Sequence, residues 1–591
     1  MHTEAPDTVC AAFQRTRTID PRATAVRTPG DSIAVSWAEY DRRVRAVAEG
    51  LHAHGVRRGD VVALMMGNRP EFAWIDSGAM HLGATTLSVY NTSSPEQLAY
   101  VLGHAGARVI ICERAMVDTI TRSGADLAHI VTVDGPHPSA DLTLDLLESA
   151  CSAGFDFDTA WRAVRPDDIA TLVYTSGTTG NPKGVPITHS TILAAARGID
   201  EVVPMRFGDR IISFLPAAHI ADRVSTLYWM AVHGLQVTYL DDPKSLLPAL
   251  RDTRPTLWFA VPRIWEKFRA FVEASIDAES DADTRNTLRR AIEFGRERHR
   301  AQRNGIEPSV VDTTESDRLD AALRSVRATL GLDRARVSIC GSAPIAPGLL
   351  EYFAALGVPV AEVWGMTETA GIGTINPPSA TRLGSVGKVL PGNEVRLDHD
   401  GELLIRGPVC FGGYRAAPEL TATAIDAGGW VRTGDIATID ADGYVRIIDR
   451  KKDILINAAG KNMSPSNIEN TVKSACSLIG SIAVIGDARP YNVALITLDP
   501  DAAAAAARRL GLADLSVAAL AEDPRIRGLV AAGIERGNAS LARVEQVKRH
   551  QILGTVWEPG GEELTPTMKI RRKPIGQRYA HVIEALYATG G

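Results

Sequence analysis

The chain has 591 residues, 45% of them hydrophobic and 23% charged, and its 64 basic against 70 acidic side chains leave a formal net charge of −6. That balance excludes a disordered, collagen-like or membrane-embedded chain, and the missing basic excess argues against a dedicated nucleic-acid binder. At this length about four domain-sized units are expected, enough to bury a large core and still form a deep interdomain cleft.

The N-terminus carries Glu4 and Asp7 with no apolar run, which does not read as a signal peptide. Residues 37–54 have helical spacing and end at a Gly55 turn, and 61–66 read as a buried strand. A helix over 95–104 and a strand over 107–112 continue an alternation that predicts a parallel α/β sheet. The uncharged run 224–240 is too short and polar to span a bilayer and reads as a buried strand–helix segment. Residues 266–334, rich in Arg, Glu, Asp and Ala, read as an insertion of two or three solvated amphipathic helices. From Asn393 onward short β-like runs at 402–405, 430–431 and 444–448 alternate with turns, predicting a small antiparallel subdomain over 393–449. Four consecutive charges, Arg450 to Asp453, mark a domain boundary. Beyond it lie strand candidates at 482–485 and 494–497 and an Ala-rich helix over 501–510. Cys10, Cys112, Cys151, Cys340, Cys410 and Cys476 are widely spaced, without a zinc or disulfide pattern, which fits a reducing compartment.

Four stretches carry chemistry. In the first, Thr175, Ser176, Gly177, Thr178, Thr179, Gly180 and Lys183 follow the apolar strand candidate 169–173. Glycines let backbone N–H groups approach phosphate oxygens, hydroxyls add donors or ligate Mg²⁺, and the lysine adds a point charge. The spacing is not that of a Walker A loop. In the second, Trp364-Gly365-Met366-Thr367-Glu368 combines an aromatic face suited to adenine with a carboxylate suited to a cation. In the third, Thr433-Gly434-Asp435 presents a carboxylate after a tight turn, able to accept hydrogen bonds from ribose hydroxyls. The fourth is a basic C-terminal loop containing Met568-Lys569.

These stretches, in this order, resemble the adenylate-forming superfamily of acyl-CoA synthetases, luciferases and peptide-synthetase adenylation domains, most closely the bacterial long-chain fatty acid–CoA ligases. The likeness runs from about Phe13 to the C-terminal tail. Trp364 stands where the family usually has Tyr, and Met568 where many members have Gly. Gly341-Ser342-Ala343 resembles the adenine-side loop, the segment around His219 the carboxylate-side segment, and Val261–Lys267 a stretch of the long-chain branch, as does Gly460-Lys461-Asn462.

The resemblance implies a large N-terminal domain of α/β sheets over 1–450, including the β subdomain, and a mobile, smaller α/β domain over 451–591. It implies an enzyme using ATP, Mg²⁺ and coenzyme A to activate a fatty acid. The alternatives are an acyl-AMP ligase serving a carrier protein and a CoA ligase for aryl or shorter acids. In that scheme Glu368 and Thr178 hold Mg²⁺, Asp435 binds ribose, Arg450 assists at the ribose or the phosphate, and Lys569 stabilises the adenylation transition state. His219 lines the carboxylate end, Lys452 is the hinge, and Gly460 and Lys461 swing toward the pantetheine path. The implied location is cytoplasmic, with peripheral contact at the inner membrane face through an amphiphilic substrate.

Overall fold

The computed structural model describes residues 5–175, 181–303, 313–458, 461–565 and 568–588. Its largest sheet has seven strands in the spatial order Leu142–Thr143, His129–Thr132, Ala107–Cys112, Val61–Met65, Thr85–Ser88, Ile169–Thr175, Lys183–Thr188. All neighbours are parallel except the last pair. The central strands are buried on both faces, which is why Val61–Met65 reads as an unbroken apolar run. Helix Trp37–Ala53 caps at Ser36, helix Pro95–Ala105 opens with a Ser94–Gln97 capping box, and both match the sequence reading within a residue or two.

A second sheet runs Leu257–Ala260, Val337–Cys340, Val360–Trp364, Thr374–Ile375, Lys388–Val389, the first three strands parallel. A third joins Arg210–Ser213 and Gln236–Tyr239 to Thr24–Arg27 and Ala34–Ser36. The charged stretch read as a solvated insertion is the crossover between Leu257–Ala260 and Val337–Cys340. It forms helices Pro262–Asp277, Ala282–Arg303 and Thr313–Thr329. These helices are surface-charged but not merely solvated. Trp265 is fully buried, its ring 4.7 Å from that of Phe353, and Phe268, Val272, Leu319 and Leu323 join the same apolar core. Apolar residues recurring at helical spacing were outvoted in the sequence by the abundant charges of the outer face.

The predicted β subdomain is a four-stranded antiparallel sheet, Glu394–Leu397, Glu402–Arg406, Val431–Ile439, Val445–Arg450. After Arg450 a hairpin leads to helix Pro465–Ser474 and a mixed sheet of Ile479–Ile485, Asn492–Leu498 and Val547–Leu553 with its own apolar core. Among the described residues no helix is long and apolar enough to cross a membrane.

Candidate active site

The Gly-rich stretch is the connection of a β-hairpin. Strand Ile169–Thr175 pairs antiparallel with Lys183–Thr188, Thr175 opposite Lys183 and Tyr174 opposite Gly184. A Cβ on Gly184 would lie 3.1 Å from the Tyr174 ring, a close approach that a larger residue would force to shift by a few tenths of an ångström. Ser176, Gly177, Thr178, Thr179 and Gly180 lie outside the described residues, as does Gly460. Lys183 projects over the ring of Tyr414, its Nζ 4.9 Å from the centroid.

Strands Val337–Cys340 and Val360–Trp364 are parallel neighbours, so the loops leaving their carboxyl ends lie side by side, where α/β sheets bind ligands. The first loop is Gly341-Ser342-Ala343, with Ser342 at φ +70°. The second begins at Gly365, where a Cβ would meet the Gly371 carbonyl oxygen at 2.3 Å. It continues through Met366 into the short turn Thr367–Thr369 that carries Glu368. Glu368 is buried, and the Tyr414 hydroxyl donates to its Oε1 at 2.7 Å. Burial and that adjacent carboxylate hold the Tyr414 phenol far above its ordinary range, so it stays a donor.

Trp364 is 8% exposed, and its indole Nε1–H donates to Asp435 Oδ2 at 2.8 Å. The sequence offered this ring as an adenine-stacking face; the structure adds that it anchors the carboxylate expected at the ribose. The other Asp435 oxygen takes Arg450 Nε at 2.8 Å, across a direct register pair of the antiparallel sheet. Thr433-Gly434-Asp435 is not the tight turn the sequence suggested but part of strand Val431–Ile439, where the ladder register shifts and Gly434, at φ +70°, donates its N–H to Glu402 Oε1 at 2.9 Å. Thr433 Oγ1 accepts the Asp435 N–H at 3.1 Å. Burial pushes the Asp435 carboxyl upward against the opposing pull of Arg450 and the Trp364 indole. Asp398, Asp400 and Glu402 also cluster, but Arg432 and Lys451 pair with them.

Lys569 arrives from the C-terminal part of the chain. An isolated bridge between Leu564 and Ile570 closes its loop, Met568 takes φ +66°, and the Lys569 N–H donates to Thr565 Oγ1 at 3.0 Å. Its ammonium is open to the cleft, yet protein walls surround it closely enough that desolvation dominates. That desolvation, with the positive charge of Arg450, lowers its pKa to about 8, while Asp435 and Glu368 pull the other way. Burial chiefly, and then the Lys569 charge, drops His219 to about 3. The imidazole is therefore neutral at pH 7, with Nδ1 accepting the Ala221 N–H at 3.2 Å and the proton on Nε2. Lys452 lies in the same field: burial lowers its pKa, and Arg450, Lys183 and Asp435 all act on it.

Lys183, His219, Glu368, Asp435, Arg450, Lys452 and Lys569 thus lie within electrostatic reach of one another, Asp435 and Arg450 in direct contact. Thr175 sits at the hairpin end, and Lys461 on an exposed turn whose backbone N–H is held by Asn457. Sequence reading passed over Tyr414 and Glu402. The Gly412-Gly413-Tyr414 run was the one available signal for the first, since glycines beside an aromatic mark a close backbone approach.

Two family models cover almost all of this architecture. The AMP-binding enzyme model matches residues 13–415, and the AMP-binding enzyme C-terminal domain model matches 452–590. The chain belongs to the AMP-binding enzyme family. This AMP-binding enzyme is 49% identical over 448 residues to a protein of Mycobacterium tuberculosis named as the fatty-acid–CoA ligase fadD11, covering 75% of this chain and 78% of that one. It is 34% identical over 568 residues to the long-chain-fatty-acid–CoA ligase FadD15 of the same organism, covering 94% and 92%. Among solved structures it superposes on the adenylation domain of a Mycobacterium chelonae carboxylate reductase with a TM-score of 0.76 at 20% identity, covering 98% of this chain and 91% of that one.

The family implies Mg²⁺. The donor set fits a hard cation: Glu368 offers a buried carboxylate already oriented by a hydroxyl, and Mg²⁺ characteristically takes one or two carboxylates with phosphate oxygens and water.

Proposed function

We propose that this AMP-binding enzyme is an ATP-dependent fatty acid–CoA ligase, acting on long-chain acids in two half-reactions in one cleft. The observation that carries the reading is the placement of Lys569, from the C-terminal domain, in the field of Glu368, Asp435 and His219 from the N-terminal domain.

In the first half-reaction a fatty carboxylate oxygen attacks the α-phosphorus of ATP, a P–O bond forms to it, and the bond to the pyrophosphate breaks. Asp435, held by Trp364 and Arg450, accepts the ribose hydroxyls. Lys183 and the phosphate hairpin hold the departing phosphates, and Lys569 faces the charge that builds on phosphate oxygens. His219, neutral with its proton on Nε2, offers a hydrogen bond to the fatty carboxylate and takes no proton from it, since that carboxylate is already ionised. Mg²⁺ bound through Glu368 and Thr178 would supply neutralisation of phosphate charge. In the second half-reaction the coenzyme A thiolate attacks the acyl carbonyl, a thioester forms, and AMP leaves with the bonding electrons. Lys569 must first withdraw, and rotation of the C-terminal domain about Lys452 provides this, carrying Gly460 and Lys461 toward the pantetheine path. We assign the enzyme to the cytoplasm on its scattered free cysteines, and an amphiphilic substrate supports peripheral contact at the inner membrane face.

The test is pyrophosphate release across saturated acids from short to long chain, with and without coenzyme A. Acid-dependent release with acyl-CoA as product supports the reading. Acyl-AMP accumulating in the presence of coenzyme A would replace it with transfer to a carrier protein.

A further inference from the structure

We propose that Asp449 is a positioning residue for Lys569: it ties the C-terminal domain across the hinge in the orientation in which the lysine reaches the nucleotide. The proposal rests on the two-step reading above and goes beyond it by naming what holds the first step's geometry.

Asp449 ends the N-terminal domain, one residue before Arg450, and is 5% exposed. All three of its side-chain bonds to the segment beyond the hinge are short. Ser464 Oγ donates to Oδ2 at 2.6 Å, the Ser466 N–H donates to Oδ2 at 3.0 Å, and Ser466 Oγ donates to Oδ1 at 3.0 Å. Ser464 is at the same time the N-cap of helix Pro465–Ser474, accepting the Asn467 N–H at 3.0 Å. A carboxylate of one domain therefore seats on the positive end of the first helix of the other.

That helix leads on to the lysine. Its Glu469 is buried and takes both terminal nitrogens of Arg572, at 2.6 and 2.7 Å, as well as the Val484 N–H at 2.7 Å. A bidentate arginine–carboxylate pair fixes orientation as well as distance. Arg572 opens helix Arg572–Arg578, three residues after Lys569. Farther along the helix, Lys473 pairs with Glu266 at 2.8 Å, in the stretch 261–267. Asp449 thus holds Ser464 and Ser466, their helix carries Glu469, and Glu469 holds Arg572, three residues from Lys569. Because the pivot at Lys452 lies between Asp449 and the two serines, rotation severs these bonds. They favour the adenylation orientation and are absent from any other.

Two measurements test this, one of them independent of turnover. In a Cys151→Ser background, Glu266→Cys and Lys473→Cys report the domain orientation through the rate of cross-linking by a short bis-maleimide. Adding Asp449→Ala should slow that cross-linking several-fold. In the otherwise native enzyme, Asp449→Ala should cut fatty-acid-dependent pyrophosphate release about tenfold, as expected for losing hydrogen bonds to a charged group, and leave thioester formation from supplied acyl-adenylate unchanged. Ser466→Ala, which removes one bond and keeps the helix cap, should move both readouts in the same direction by less. Asp449→Ala and Ser466→Ala combined should do no more than Asp449→Ala alone. Unchanged cross-linking in Asp449→Ala, or equal loss of both half-reactions, overturns the proposal. Cross-linking of the double-cysteine variant that slows as expected with Asp449→Ala, while the native enzyme releases no pyrophosphate with any acid, overturns the ligase reading instead.

Discussion

Lys569 holds its charge in a setting that opposes it. Desolvation and Arg450 bring its pKa to about 8, so the ammonium, to which the proposed mechanism gives transition-state stabilisation, is lost as pH rises through that value. In the free enzyme, kcat/KM for pyrophosphate release should hold below about 8 and fall above it, and Lys569→Arg should erase that alkaline limb if any activity survives. His219, at about 3, contributes no limb between pH 5 and 9. Lys569→Ala should lower acyl-adenylate formation by about a hundredfold or more, in the range found for losing one preorganised donor, and spare acyl transfer from supplied acyl-adenylate. Tyr414→Phe removes only the hydroxyl on Glu368. It should slow adenylation about tenfold and raise the Mg²⁺ concentration needed for half-maximal rate, with the melting temperature little changed. None of this pairing was legible beforehand. Tyr414 and Glu368 stand 46 positions apart, and a hydrogen bond at that separation leaves no local trace in the residues themselves. Glu368, Asp435 and Lys569 were legible through the order of the motifs and the family they resemble, since each short motif alone reads equally as a common turn or a surface stretch.

At the scale of single elements, glycines record where backbones meet. Gly295, in helix Ala282–Arg303, faces the end of helix Pro347–Ala355, and a Cβ there would lie 2.0 Å from the Ala355 carbonyl oxygen. Gly295→Ala should destabilise by about 1–3 kcal/mol through overpacking, read as a lowered midpoint in urea unfolding, with adenylation of the folded fraction retained. The parallel strands, the antiparallel subdomain and the C-terminal sheet were all visible from apolar runs and turn residues. The helices after Pro262 were seen as helices but misjudged as merely solvated. Their buried face is one stripe among many charges, and what it packs against, Phe353 and its neighbours, is supplied by distant segments. The nucleotide loop's hairpin form was likewise not foreseen. The strand before it was clear, but Lys183–Thr188 pairs antiparallel at the sheet edge and contains Pro186, which sequence rules discourage within a strand.

At the scale of the whole molecule, the charge run at 450–453 lies at the start of the second family model, which matches 452–590 after the first ends at 415. Lys452→Pro should fix φ at the pivot and leave pyrophosphate release largely intact while blocking thioester formation, measured as separate half-reactions. Asp435 and Arg450 face each other as strand partners, and the swivel begins within two residues of that pair. Points near an axis travel little when the body around it turns. In the proposed cycle the sugar of the nucleotide is moored at the fulcrum while Lys569, at the far end of the lever, sweeps a wide arc. One AMP moiety can stay in its berth through both chemical steps, and the enzyme exchanges the tools around it instead of passing the intermediate between sites.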